Sequence, residues 1–80
     1  MTNEELDSLI GEVLSSVLEV DVPAGVNLSR DDEERWNSLK HMEIIFSLEA
    51  ALDIRFTEDE ISEIKCVEDI KDRIRAKHAA

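Results

Sequence analysis

Ser38 and His41, one helical turn apart, are the residues of this chain whose types and spacing most readily suggest chemistry. They lie in the stretch WNSLKHMEIIF, residues 36–46, just after a loop that ends in the acidic run Asp31-Asp32-Glu33-Glu34. The spacing places Ser38 in the first turn of an unusually apolar helix. The first four N–H groups of a helix have no partners within it, and the dipole there favours negative charge. A hydroxyl at that point is well placed to carry a phosphate-linked group. The competing reading is an unmodified serine at a helix start, which is common.

His41 invites a second chemistry, Ser–His nucleophilic catalysis. That chemistry also needs an orienting acid and an oxyanion hole. Neither is signalled, and His41 falls toward the apolar arc of its helix, so it is expected to be a partly buried packing residue. Cys66 is the single cysteine, which rules out an intramolecular disulfide and a CxxC metal pair. It reads as a semi-buried thiol, since nothing nearby signals the lowered pKa of a reactive one. The acid runs 31–34 and 58–60 lack the glycine and spacing of an EF-hand loop, so no dedicated metal site is expected.

The elements that must position Ser38 are legible from periodicity. Leu6, Leu9, Ile10, Val13, Leu14, Val17 and Leu18 share one face of a helix over 3–19, with Thr2 and Glu5 as a capping box. Pro23 and Gly25 are expected to end it. Residues 20–36 lack periodicity and read as a long ordered loop pinned by Val22, Val26 and Leu28, with one short helical turn near its acidic end. The second helix is expected over 38–52, with Asn37 as N-cap and Ser38 as the alternative.

On that helix Ile44, Ile45, Leu48, Ala51 and Leu52 form one apolar arc, and Leu39, Met42 and Phe46 form a stripe on roughly the opposite side. A helix in a small bundle needs one apolar face, so the second stripe, flanked by Glu43 and Glu49, looks like a docking surface. The rival is that the long loop covers it. Thr57-Glu58-Asp59-Glu60 caps a short third helix that ends near Ile64, and Val67, Ile70 and Ile74 set the fourth. The fold class expected is all-α: one domain over 1–80, a four-helix bundle of three main helices and a short one with a long first loop.

Eighty residues suffice for one modest core and leave little room for a deep enzyme cleft. With 42% apolar but only 4% aromatic residues, that core should be aliphatic. The net charge of −11 argues against nucleic acid and anionic membrane surfaces as partners. Residues 1–34 hold ten acids and one base, Arg30, whereas Lys71, Arg73, Arg75 and Lys77 crowd the C-terminal end. Partners bearing Lys and Arg patches are implied. No apolar run qualifies as a signal peptide or a membrane span, and the expected setting is a reducing cytoplasm.

Asn-Ser-Leu followed by His-Met-Glu-Ile-Ile-Phe-Ser-Leu-Glu resembles the Asp-Ser-Leu attachment motif of the acyl carrier proteins, and the resemblance spans nearly the whole chain. It implies an acyl-carrier-like bundle in which Ser38 bears a covalent 4'-phosphopantetheine arm. A separate phosphopantetheinyl transferase installs that arm from coenzyme A, and acyl groups ride on its thiol as thioesters. The chain would then be a shuttle and not an enzyme, acting as a monomer between acyl-loading and acyl-using enzymes of fatty-acid, polyketide or another specialised biosynthesis.

The resemblance further implies that Glu43 and Glu49 meet basic residues of those enzymes, that Leu39, Met42 and Phe46 make the adjoining apolar contacts, and that Asn37 is read by the transferase. It departs from the family at Asn37, usually Asp, at Ala50, often a further acid, and at Lys40 and His41, which make the helix start less acidic. These departures point to a specialised pathway. Peptidyl carriers usually have Gly before the serine motif, and D-alanyl carriers match less well around Ser38. From another class, the alternative is an unmodified acidic adaptor docking through the second helix. A small Ser–His hydrolase is the third reading.

Overall fold

The computed structural model describes residues 2–79, and the side chains of 2–77. Its first helix begins where a local motif dictates. The Thr2 hydroxyl accepts the Glu5 N–H at 3.1 Å, and the Glu5 carboxylate accepts the Thr2 N–H at 3.2 Å. That box opens α1, Asn3–Leu18, whose Leu6, Ile10, Leu14 and Leu18 stack four residues apart into the core. The helix stops at Leu18 with Glu19 in the left-handed region (φ 59°), four residues before Pro23. The break is therefore made by Glu19 and not, as expected, by the proline. Arg35 fastens the turn by donating from Nη1 to the Glu19 carbonyl at 2.9 Å.

The long loop is ordered by specific tethers. The Ser15 hydroxyl accepts the Val22 N–H at 2.9 Å and donates to the Val22 carbonyl at 3.3 Å. Gly11 permits this approach, because a Cβ there would sit 3.0 Å from that same carbonyl. Val22 is buried and Leu28 half-buried, as expected of pinning residues, but Val26 is 44% exposed and pins nothing. A 3-10 turn, Arg30–Asp32, is the expected short turn in the acidic stretch.

Further along, Val67 N–H donates to Leu28 O (3.0 Å) and Arg30 N–H to Lys65 O (2.9 Å), pairing the loop with the segment before the last helix. Ser29 and Cys66 form an isolated bridge there, and no strand occurs among the described residues.

Three more helices complete an all-α four-helix bundle: α2, Ser38–Leu52; α3, Glu58–Glu63; and α4, Val67–Ala79. Thr57 and Glu60 form the second capping box. Cys66 has no side-chain oxygen to cap α4, and Asn27, 41 residues upstream of Glu68, supplies it by accepting the Glu68 N–H at 2.9 Å. Cys66 itself is half-buried.

Leu14, Ile44, Ile45, Leu48, Ile64 and Ile70 are fully buried at the centre, so the core is aliphatic. Two of the three aromatic residues, Trp36 and Phe56, close its edges. Ala51, expected in the α2 arc, is exposed, and Leu52 is half-buried; His41 extends the buried side of the helix in their place.

The bases of α4 do not form a free cationic tail. Lys71 lies 2.7 Å from Asp7 of α1, a close ion pair without the alignment of a hydrogen bond. Arg73 pairs with Glu63, Arg75 with Asp72, and Lys77 with Glu60 at 2.8 Å. Lys77 also lies 5.4 Å from the centre of the Phe56 ring. The hydrogen bond from Lys77, aided by the Thr57 N–H, holds the Glu60 carboxyl below its ordinary range.

Candidate functional site

Asn37 precedes α2 in an extended conformation (φ −92°, ψ −177°). Its side-chain oxygen accepts the Lys40 N–H at 2.9 Å, and its carbonyl accepts the His41 N–H at 2.8 Å. Asn37 is therefore the N-cap, and Ser38 is the first helical residue. Substituting Asn for an acid leaves this capping intact, because the cap needs an acceptor and not a charge. Ser38 is exposed. Among the described residues, no protein acceptor is bonded to the N–H groups of Ser38 or Leu39. The first turns of α1, α3 and α4 each carry acids, whereas that of α2 carries none. The helix end beneath Ser38 thus keeps free donors for an anionic oxygen.

The segment ahead of Ser38 is anchored by Trp36, a buried residue to which the sequence assigns no role. Its indole N–H donates to His41 Nδ1 at 3.0 Å, and the rings are tilted at 31° with centres 6.1 Å apart. On the other side, His41 Nε2 lies 2.8 Å from the Ile61 carbonyl of α3. Indole can only donate and a carbonyl can only accept, so the pair of bonds specifies the neutral imidazole with its proton on Nε2. Burial lowers the His41 pKa, opposed by the bond to the Ile61 carbonyl and reinforced by the Arg30 charge. Both ring nitrogens are engaged away from Ser38, so the Ser–His pair suggested by the spacing does not form. His41 is the packing residue expected, though its role is as much polar as apolar.

The outer face of α2 is open. Leu39 is 68% and Phe46 59% exposed, with Met42 half-buried between them, so the loop does not cover the stripe. Glu43 borders it, 3.4 Å from Lys40 in a surface pair. Glu49 is differently employed: its carboxylate accepts the Phe56 N–H at 2.9 Å and ties α2 to the chain entering α3. Phe46, Ala50, Ile54 and Arg55 line a shallow groove at that end of the helix, with Glu49 and Asp53 beside them.

The structure thus gathers Asn37, Ser38, Leu39, Met42, Glu43 and Phe46 at the start and along the outer face of α2, and leaves Glu49 partly committed to the fold. Trp36 and Ile61 are the residues that sequence reasoning missed. The five-residue spacing of Trp36 and His41 was the available signal for the first; nothing local marks the second. No described helix is long and apolar enough to cross a membrane. No protein-family model matches the chain, and no curated protein matches it significantly.

Proposed function

We propose that the chain is an acyl carrier protein whose Ser38 bears a 4'-phosphopantetheine arm. The observation that carries this reading is an exposed serine at a helix start with free N–H donors, on the same helix as an open Leu39–Met42–Phe46 stripe. A phosphopantetheinyl transferase joins Ser38 Oγ to the β-phosphate of coenzyme A, and the rest of the nucleotide leaves as adenosine 3',5'-bisphosphate. When attached, the arm supplies a thiol that holds acyl groups as thioesters.

The chain's own residues position that arm and present it. Asn37 fixes the helix start, and the Ser38 and Leu39 N–H groups, which no protein acceptor among the described residues uses, would be the donors available to a phosphodiester on Ser38. Leu39, Met42, Phe46 and Glu43 meet apolar and basic groups of acyl-loading and acyl-using enzymes in fatty-acid, polyketide or another specialised biosynthesis. Catalysis rests with those partners, and the carrier acts as a monomer in the cytoplasm, where its lone thiol stays reduced.

Intact mass after incubation with a broad-specificity transferase and coenzyme A tests the assignment. Wild type should gain the mass of one arm and Ser38→Ala none, with unchanged helical circular dichroism. Wild type that stays unmodified with several transferases overturns it. In that case the second reading, an unmodified adaptor, gains, because exposed Leu39 and Phe46 suit docking without any arm.

A further inference from the structure

His41 is the only buried polar side chain among the described residues, and carrier chemistry makes no use of it. Its two bonds join three elements: the segment ahead of Ser38 through Trp36, α2 through its own backbone, and α3 through the Ile61 carbonyl. Of these, α3 is held least by packing. It has six residues, none fully buried, and Ile61 is its half-buried apolar contact. Its side chains Glu60 and Glu63 make exposed or part-buried ion pairs to α4, while buried Phe56 and Ile64 hold the chain on either side of it, Phe56 also through the Glu49 carboxylate. The bond from His41 to the Ile61 carbonyl is therefore the polar tie that a residue of α3 itself makes to the second helix.

That tie depends on a single proton. In the neutral ring Nδ1 is an acceptor and matches the indole N–H. A proton taken from solvent at Nδ1 sets two donors against each other at the present 3.0 Å, and indole offers no lone pair in return. The new cation is also buried and lies in the field of Arg30. Around the ring, the 3-10 turn contributes the Arg30 cation, the preceding loop the uncharged indole, and α3 the uncharged Ile61 carbonyl. On its own helix the nearest charges, Lys40 and Glu43, pair with each other. No carboxylate is bonded to either ring nitrogen to stabilise the charged form.

We propose that neutral His41 is a latch closing the Ser38-proximal segment onto α3, and that its protonation releases Trp36 and loosens α3 from α2 while the other helices stay folded. The device goes beyond the carrier reading and does not depend on Ser38 being modified. It makes the α2–α3 edge of the core the part that opens first on acidification. Burial sets the direction of the pH effect. The folded state resists the proton, so the stabilising contribution of His41 is complete above the ordinary histidine pKa of about 6.5 and is lost as pH falls through the lower folded value.

Trp36 is the sole tryptophan, so its emission reads the latch in the unmodified protein. Lowering pH from 7.5 should give a reversible one-proton shift of emission to longer wavelength, with a midpoint below about 6.5 and helical circular dichroism retained. His41→Gln, which cannot titrate, should lack this step, whereas His78→Gln, which removes the second histidine, should keep it. Nitrogen NMR of wild type gives a measure independent of any variant's folding. His41 should carry its proton on Nε2 at neutral pH, and exchange protection of the Trp36 Nε1–H and the α3 amides should fall together with the emission step. An emission shift that coincides with loss of all helicity, a step retained in folded His41→Gln, or a ring proton on Nδ1 at neutral pH overturns the latch.

Discussion

The Glu49 carboxylate accepts the main-chain N–H of Phe56 at 2.9 Å, so an acid on the flank of the exposed stripe is also a strut of the α2–α3 connection. Glu43, on the same helix, makes only a surface pair with Lys40. Two acids that look equivalent in sequence therefore have different physical roles.

Their truncations should separate accordingly. Glu49→Ala leaves a part-buried N–H without its acceptor, a loss of roughly 1–3 kcal/mol, whereas Glu43→Ala gives up a surface pair worth about 0–1 kcal/mol. Urea unfolding of the two variants should show the larger loss for Glu49→Ala. Equal midpoints would mean that water replaces the carboxylate at no cost.

For docking, Glu43 should matter more than Glu49 or an acid elsewhere. Glu43→Lys should slow turnover by a partner enzyme more than Glu12→Lys, an equal charge change on an exposed face of α1. The difference should shrink with added salt, since exposed charges are screened over roughly 8–10 Å near physiological ionic strength. Equal slowing by both variants would show that net charge alone steers the encounter and would remove the docking role of α2.

An attached aliphatic chain should lodge among Leu14, Ile45, Leu48, Ile64 and Ile70, all fully buried. Because these residues already pack against one another, entry requires the core to open. Each buried methylene returns about 0.8 kcal/mol, less that opening. Octanoylation should raise the thermal midpoint where acetylation barely moves it. Identical midpoints for the unacylated, acetylated and octanoylated forms would leave Ser38 as a bare tether in water.

Much of this molecule was legible from residues close together in the chain. Capping boxes at Thr2–Glu5 and Thr57–Glu60, the Asn37 cap and the four-residue stacking of Leu6, Ile10, Leu14 and Leu18 all act within about one helical turn or along one face. Sequence spacing there is spatial distance. The exposure of Leu39 and Phe46 was legible for a related reason: a helix with two apolar stripes in a small bundle has a partner for only one.

Tertiary structure decided the rest, because the physical cause lay in residues remote along the chain. Asn27 caps α4 in place of Cys66 across 41 residues. Three of the four bases Lys71, Arg73, Arg75 and Lys77 pair with acids of α1 and α3, and Arg75 pairs within its own helix, which composition alone could not reveal. Ala51 left the predicted arc for solvent, and Glu19 ended α1 before Pro23 was reached, since periodicity marks a face without fixing how much of it a neighbour covers. Trp36, His41 and Ile61 needed the fold most. Their bonds are spaced five and twenty residues apart, and only the packing of α3 beside α2 brings a carbonyl to the free nitrogen of a buried imidazole.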